Sequence, residues 1–270
     1  MLSFVYLQQP LNNSYNMNIQ ENMRQVYENY TAEDQQVWQL LYERQMKQLK
    51  NMASEAYLEG IKAIGFVSGQ IPDYEHTNQR LSSITGWRIF VVQGLIPNKE
   101  FFELLQAKYF PASTWLRKME QLDYLEEPDM FHDTFGHIPL LTNHDFCEFL
   151  KGLSRIALRF IDSELGVEMI ARLYWYTVEF GLINDPQGLR IYGAGILSSS
   201  GESVYSLSEQ PQKVPFNVEE IVNTPYIRDK YQEKYFVIDS YKQLYDSLPT
   251  LEAVLEKQLL SIVWCFERVR

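Results

Sequence analysis

The 270 residues suit one large domain or two small ones with a substantial core, and 46% hydrophobic with 22% charged residues is globular composition. A net charge of −11 argues against nucleic acid or an anionic membrane as main partner, because both select a basic face. The two cysteines, Cys147 and Cys265, sit in apolar helical patterns, so buried free thiols are expected rather than a disulfide framework or zinc finger. No window is apolar for long enough to span a bilayer and Met1–Met17 lacks the basic start of a signal peptide, so a cytoplasmic protein is expected.

Residues 1–25, rich in Asn, Gln and Ser, read as a loosely ordered arm, and 26–270 as a single domain without a linker seam. Thr31 with Asp34 has the form of a capping box and opens an amphipathic helix through Trp38, Leu41, Gln45 and Leu49, running as far as about Leu58. A polar connection from Ile71 to Arg80 places His76 in a solvated loop. Trp87–Val92 has strand composition, and Pro97 or Asn98 starts a helix that buries Phe101, Phe102 and Leu105. Residues 106–126 read as irregular. Asn143 caps a strongly amphipathic helix through Phe149, Leu153 and Ala157, and another helix runs from about Val167 to Phe180. A strand over Arg190–Leu197, a turn at Ser198–Glu202, a helical turn capped by Asn217, a strand at Tyr235–Ile238 and a last helix capped by Thr250 complete a mostly helical pattern with a few short strands.

The stretch Glu127–Leu141 holds two of the four histidines, His132 and His137, among the carboxylates of Asp129 and Asp133. Two imidazoles so close, beside oxygen donors, are what a transition-metal site requires. Residues five apart are separated by about 140° on an α-helix, so both rings reach one ion only if the helix is short or distorted. Gly136 and Pro139 supply the local freedom. A third donor is Glu179, in the apolar run Tyr174–Gly181, where a carboxylate needs either a cationic partner such as Arg172 or a metal. Two histidines and one carboxylate leave coordination positions open, which suits non-haem Fe(II) acting on dioxygen better than structural zinc. His144, at the start of a helix, reads as structural or solvated. Tyrosine and phenylalanine are abundant, 18 and 15, which fits either an aromatic core or a pocket for a flat ring.

Three blocks in register, EPDMFHDTFGHIPLL, YWYTVEFGL and YGAGILSSSGE, resemble the signatures of the pterin-dependent aromatic amino acid hydroxylases, and YTAEDQQVWQLLYERQ resembles the short bacterial phenylalanine hydroxylases. The resemblance covers roughly residues 30 to 260. It implies a helix-rich α+β basket forming one catalytic domain. It also implies Fe(II), a tetrahydropterin (tetrahydrobiopterin or a related reduced pterin) and O2 as co-substrate, with L-phenylalanine hydroxylated to L-tyrosine. The same chemistry on tryptophan or at another ring position remains the alternative, with a non-catalytic metal- or pterin-binding protein and a hydrolytic zinc enzyme behind it.

By the same resemblance, His132, His137 and Glu179 match the iron ligands. Gly94, Leu95, Ile96 and Phe101 match the pterin cradle, faced by Ala171 and Tyr174, with Asp133 contacting the pterin or a water beside it. Arg117 matches the arginine that takes the substrate carboxylate, supported by Asp129. Pro128, Trp175, Phe180 and Gly195 match the ring pocket. Ser198, Ser199 and Glu202 match residues around the iron ligands, and Tyr226 a mobile tyrosine near the pocket. Asp133, Leu125 and Pro111 stand where the animal enzymes have Glu, Thr and His. The chain has no room for the regulatory domain and tetramerising helix of those enzymes, so a monomer is expected.

Overall fold

The computed structural model describes residues 23–123, 125, 127–228 and 230–267, with 260–267 described as backbone only. The arm therefore lies, for residues 1–22, outside the described residues, as does the side chain of Cys265. Gln25 is tied down: its amide donates to Pro72 O (2.9 Å) and its Oε1 accepts from Tyr74 N–H (2.8 Å).

Helix α1 spans Ala32–Leu49, and its capping box forms as expected, Thr31 and Asp34 satisfying each other's backbone N–H. It stops at Leu49, short of Leu58, because Ser54 caps a separate helix, α2 (Glu55–Ile64), which Gly65 ends in the left-handed region at φ 77°. The polar connection after Ile71 is itself helical. Asp73 accepts from His76 N–H at the start of α3 (Tyr74–Ile84), leaving His76 exposed in its first turn.

Strand β1 (Arg88–Val91) leads to α4 (Asn98–Gln106), and β2 (Tyr109–Ala112) returns parallel to β1 with Phe110 opposite Ile89. The segment expected to be irregular thus contains a strand. Pro111 masks it in the sequence, but a two-stranded sheet is all edge, where proline is tolerated.

Next comes a π-helical segment, Phe131–His137, followed by a 3₁₀ segment, Ile138–Thr142. Helix α5 (His144–Arg159) is capped by Asn143 and leaves His144 exposed at its start. Helix α6 (Glu164–Tyr174) passes directly into a second π-helical turn, Trp175–Glu179, with Phe180 N–H bonded to Trp175 O at 2.9 Å.

Strands β3 (Leu182–Asp185) and β4 (Gly188–Ile191) form a hairpin. The strand expected over Arg190–Leu197 ends at Ile191, and Ala194–Leu197 is the short helix α7. Glycines at 193 and 195 read as strand or turn residues in the sequence; their use is to let α7 lie against Glu179. The turn at Ser198–Glu202 is instead the capped start of α8 (Ser200–Leu207), with Ser199 accepting from Glu202 N–H. Strand β5 (Gln212–Pro215), α9 (Val218–Asn223, capped by Asn217), β6 (Lys234–Ile238), α10 (Tyr241–Asp246) and α11 (Leu248–Glu267) complete the order. Thr250 lies inside α11 rather than at its start.

The larger sheet runs β4-β3-β6-β5, with β3, β6 and β5 parallel. The result is α+β and mainly helical, as expected. Among the described residues no helix is long and apolar enough to cross a membrane. One core of buried residues wraps the two π-helical segments.

Candidate metal centre and adjoining cavity

Two distorted helical turns carry the site. In the first, the wider π turn, whose hydrogen bonds run five residues apart, brings positions 132 and 137 to one face. The turn is held from outside: Tyr57 Oη donates to the backbone oxygen of Phe135 (2.8 Å), and Tyr74 Oη pairs with the Thr134 side-chain hydroxyl (2.8 Å). Gly136 takes no positive φ, so conformational freedom is not its use here. A Cβ at that position would stand 3.0 Å from Ala194 O and 3.1 Å from Ala194 Cβ, and its absence lets α7 close on the π turn.

The Nε2 atoms of His132 and His137 lie 3.2 Å apart with the rings at 89°. Glu179 reaches them with Oε1 at 3.0 Å from His137 Nε2 and Oε2 at 3.7 Å from His132 Nε2. All three residues are buried. Donors bound at about 2.1 Å and at right angles around one ion stand about 3 Å apart, so these separations fit a common ion. Arg172 does not neutralise Glu179. It pairs with Glu168 and donates to Val222 O.

The protonation pattern suits ligation. Ser198 Oγ donates to Ala194 O (2.8 Å) and so accepts from His132 Nδ1–H (2.9 Å), which turns the lone pair of Nε2 toward His137 and Glu179. Burial pushes the His132 pKa down to about 4 against the pull of Glu179, leaving a neutral ring at pH 7. Burial would raise Glu179, but the His137 and His132 rings and the Gly195 N–H hold its carboxyl below the ordinary value. Acceptors converging in a buried space repel one another unless a cation lies between them.

A cavity of about 310 Å³, in the range of small-molecule sites, adjoins this set and is lined by Arg117, Phe180, Gly195, Ser198 and Ser199, among others. Asp129 stands behind Arg117 and holds it in a two-point grip, Nε to Oδ2 and Nη2 to Oδ1, both at 2.8 Å. The same carboxylate accepts from the N–H groups of Arg117 (3.0 Å) and His132 (3.1 Å), which joins the arginine to the metal-site turn. Burial opposes the charge of Asp129, but the Arg117 guanidinium overcomes it and keeps the carboxyl below its ordinary pKa. Trp175 stands behind Phe180, ring to ring at 4.5 Å, with Tyr226 stacked on it at 4.5 Å. Pro128 is buried next to Asp129.

The other expected residues are distributed differently. Phe101 packs edge-on against Tyr174 (5.6 Å), one turn from Ala171 on α6, and is itself only 1% exposed. Gly94 and Leu95 are half-buried and Ile96 buried, and a Cβ on Gly94 would meet nothing within 4 Å. Asp133 accepts from Ser113 N–H (2.8 Å), and burial lifts its pKa to about 7. Glu202 bonds neither histidine. Its Oε1 accepts from Tyr235 Oη (2.7 Å) and Gln232 N–H (3.3 Å). Phe110, whose ring lies 4.7 Å from that of His137, and Ser113, the residue after the strand, went unnoticed because that strand is hidden behind Pro111. Gln232, which receives the Trp175 indole N–H at 3.0 Å, has no sequence signal at all.

Comparison with known proteins gives three findings. A family model described as "biopterin-dependent aromatic amino acid hydroxylase" matches residues 9–264. The phenylalanine-4-hydroxylase of Chromobacterium violaceum is 48% identical over 237 residues, 87% of this chain and 79% of the relative; that of Pseudomonas aeruginosa is 46% identical over 216 residues, 80% and 82% of the two chains. The crystal structure of the Chromobacterium violaceum phenylalanine hydroxylase with bound iron(III) and 7,8-dihydrobiopterin superposes with a TM-score of 0.85 at 46% identity, covering 92% of this chain and 89% of that one.

Proposed function

This chain belongs to the biopterin-dependent aromatic amino acid hydroxylases, and we infer that its reaction is theirs as the bacterial relatives carry it out. It is a non-haem iron, tetrahydropterin- and dioxygen-dependent monooxygenase that converts L-phenylalanine to L-tyrosine. The observation that carries this reading is the buried His132–His137–Glu179 cluster opening beside a cavity that presents both a guanidinium and an aromatic wall.

In this reading His132, His137 and Glu179 hold the iron. Two neutral imidazoles and one carboxylate leave a divalent ion a net charge of about +1, with positions left over for other ligands. The iron, together with the reduced pterin, supplies the activation of dioxygen. Ser198 holds His132 in the tautomer that offers Nε2. Arg117 receives the carboxylate of phenylalanine: Asp129 occupies its Nε and Nη2 edge, which leaves the Nη1 edge for a ligand. Phe180 and Gly195 bound the ring, with Trp175 packed against Phe180, Pro128 buried next to Asp129, and Ser199 at the cavity edge as the cap of α8. Gly94, Leu95, Ile96, Phe101, Ala171, Tyr174 and Asp133 receive the pterin. No side chain is required as acid or base on the substrate ring; the chain binds, orients and excludes water. The reading extends to a single catalytic unit over residues 26–270, acting as a monomer in the cytoplasm.

The test is turnover of phenylalanine, tyrosine and tryptophan side by side, with identification of each product and with iron, pterin or oxygen withheld in turn. Tyrosine formed from phenylalanine only when all three are present is expected. Tyrosine formed without iron or without pterin overturns the reading.

A further inference from the structure

Gln232 stands outside the cavity, yet its three polar groups tie together three separate segments of the chain, at Trp175, Ile227 and Glu202. Its Oε1 accepts from the Trp175 indole N–H at 3.0 Å. Its Nε2 donates to Ile227 O at 2.6 Å, in the segment that also carries Tyr226. Its backbone N–H donates to Glu202 Oε1, which Tyr235 Oη also meets at 2.7 Å. The side chain is 2% exposed. Because the amide nitrogen faces two carbonyls, Ile227 O at 2.6 Å and Lys230 O at 3.4 Å, the amide oxygen has to face Trp175, and the orientation of the group follows from its surroundings.

An indole has one donor, Nε1–H, so one hydrogen bond sets its rotation within its plane. The stacking contacts of Trp175, 4.5 Å to Phe180 at 34° and 4.5 Å to Tyr226 at 20°, hold it face to face but permit sliding. Phe180 in turn lines the cavity, with Gly195 so close that a Cβ there would stand 2.8 Å from Phe180 Cζ. A shift of Trp175 is therefore passed to the surface against which a substrate ring rests.

We propose that Gln232 is a positioning residue for the aromatic substrate: by anchoring the Trp175 indole it fixes the Trp175–Phe180 wall and sets the ring size that the cavity accepts. The inference rests on the proposed ring pocket. Deleting the anchor lets the wall recede, which favours the bicyclic ring of tryptophan over phenylalanine.

The experiment compares the iron-loaded full chain with Gln232→Met, Trp175→Phe and the double variant. It measures kcat and KM for L-phenylalanine and L-tryptophan, with the thermal midpoint as a control for folding. Gln232→Asn, which withdraws the acceptor while remaining polar, replaces the Met variant if that one does not fold. The expected result is a tryptophan-to-phenylalanine ratio of kcat/KM raised about fivefold, the worth of one net hydrogen bond, mainly through the KM for phenylalanine. In the Trp175→Phe background, where no indole N–H remains to be anchored, the effect of the Gln232 substitution is lost. Equal losses for both substrates, or an undiminished effect in the Trp175→Phe background, reduce Gln232 to a structural residue and overturn the inference alone. If Trp175→Phe by itself changes neither the ratio nor KM, the ring pocket is wrong and the inference falls with it.

Discussion

His132 and His137 are five residues apart, and their Nε2 atoms face each other at 3.2 Å with Glu179 Oε1 3.0 Å from the second. On an α-helix the two rings would point roughly 140° apart, so this contact exists only because Phe131–His137 is wound as a π-helix. Glu179 ends a π-helical turn of its own. Both turns depart from α-helical winding and both point donors at one place, which is the usual setting of π-helical turns at functional sites.

Replacing Glu179 with Gln keeps the shape and removes the charge. We expect iron affinity to fall by more than about 100-fold, beyond the usual cost of losing an outer-sphere partner, with turnover lost alongside. Metal content after dialysis and single-turnover assays measure the two separately. Full iron retention in Glu179→Gln would remove this residue from the ligand set.

Ser198→Ala tests the tautomer. Without the hydroxyl that accepts from His132 Nδ1–H, the imidazole is free to place its proton on Nε2, and iron affinity should fall about 10- to 100-fold. Competition with a chelator reads this directly. An unchanged affinity would show that Ala194 and the packing of α7 suffice to orient the ring.

The sequence carried the donors but not their geometry. His132, His137 and Glu179 could be named because a buried carboxylate and paired imidazoles are costly without a purpose, and local helix signals such as Thr31 with Asp34 and Asn143 translated directly into caps. What stayed hidden depends on contacts between distant segments. The strand containing Phe110 needs β1 as a partner, and Pro111 within it argues against a strand. Ala194–Leu197 looks like a continuation of the strand Arg190–Ile191, whereas it is a short helix lying close against Glu179, a contact between segments that the local sequence does not mark. Gln232 meets Trp175 across 57 residues, and nothing local in the sequence marks that pairing.

Glu202 gives the chain a pH dependence of known sign. Burial lifts its pKa to about 7 despite the bonds from Tyr235 and Gln232, against 4.5 for an unburied glutamate. The folded state then holds a proton between those values that the unfolded state has released, so stability falls as pH rises through the window. Glu202→Gln keeps an acceptor and removes the titration. Denaturant unfolding should show a flatter slope from pH 4.5 to 7 and a gain at higher pH of up to about 3 kcal/mol. A slope identical to that of the parent chain would contradict the assignment.

Arg117 and Asp129 form a buried pair, 5% and 0% exposed, whose halves should fail differently. Asp129→Ala strands a buried guanidinium and leaves the His132 N–H without its acceptor, so a loss of about 3–5 kcal/mol in folding stability is expected. Arg117→Ala also strands the buried Asp129 carboxylate, at a comparable folding cost unless that group takes up a proton, and it should in addition raise the KM for phenylalanine about 10- to 100-fold, since a charge-assisted bond is lost. Arg117→Lys should not restore it, because an ammonium cannot keep the fork toward Asp129 while also reaching a ligand. A normal KM in either Arg117 variant would put the substrate carboxylate elsewhere.

Gly193 and Gly152 separate a clash that can relax from one that cannot. A Cβ on either would lie 2.3 Å from its nearest neighbour, but that neighbour is the backbone oxygen of Glu179 for Gly193 and the side-chain Cδ1 of Leu248 for Gly152. A leucine methyl can rotate away, and alanine suits the interior of α5 better than glycine does by up to about 1 kcal/mol, so Gly152→Ala should be close to neutral. The backbone oxygen of Glu179 cannot move without moving the residue whose carboxylate faces His132 and His137. Gly193→Ala should therefore cost about 1–3 kcal/mol of stability and weaken iron binding in the same variant, measured by denaturation and by chelator competition. Loss of stability with iron affinity intact would mean that α7 supports the fold without setting the position of Glu179.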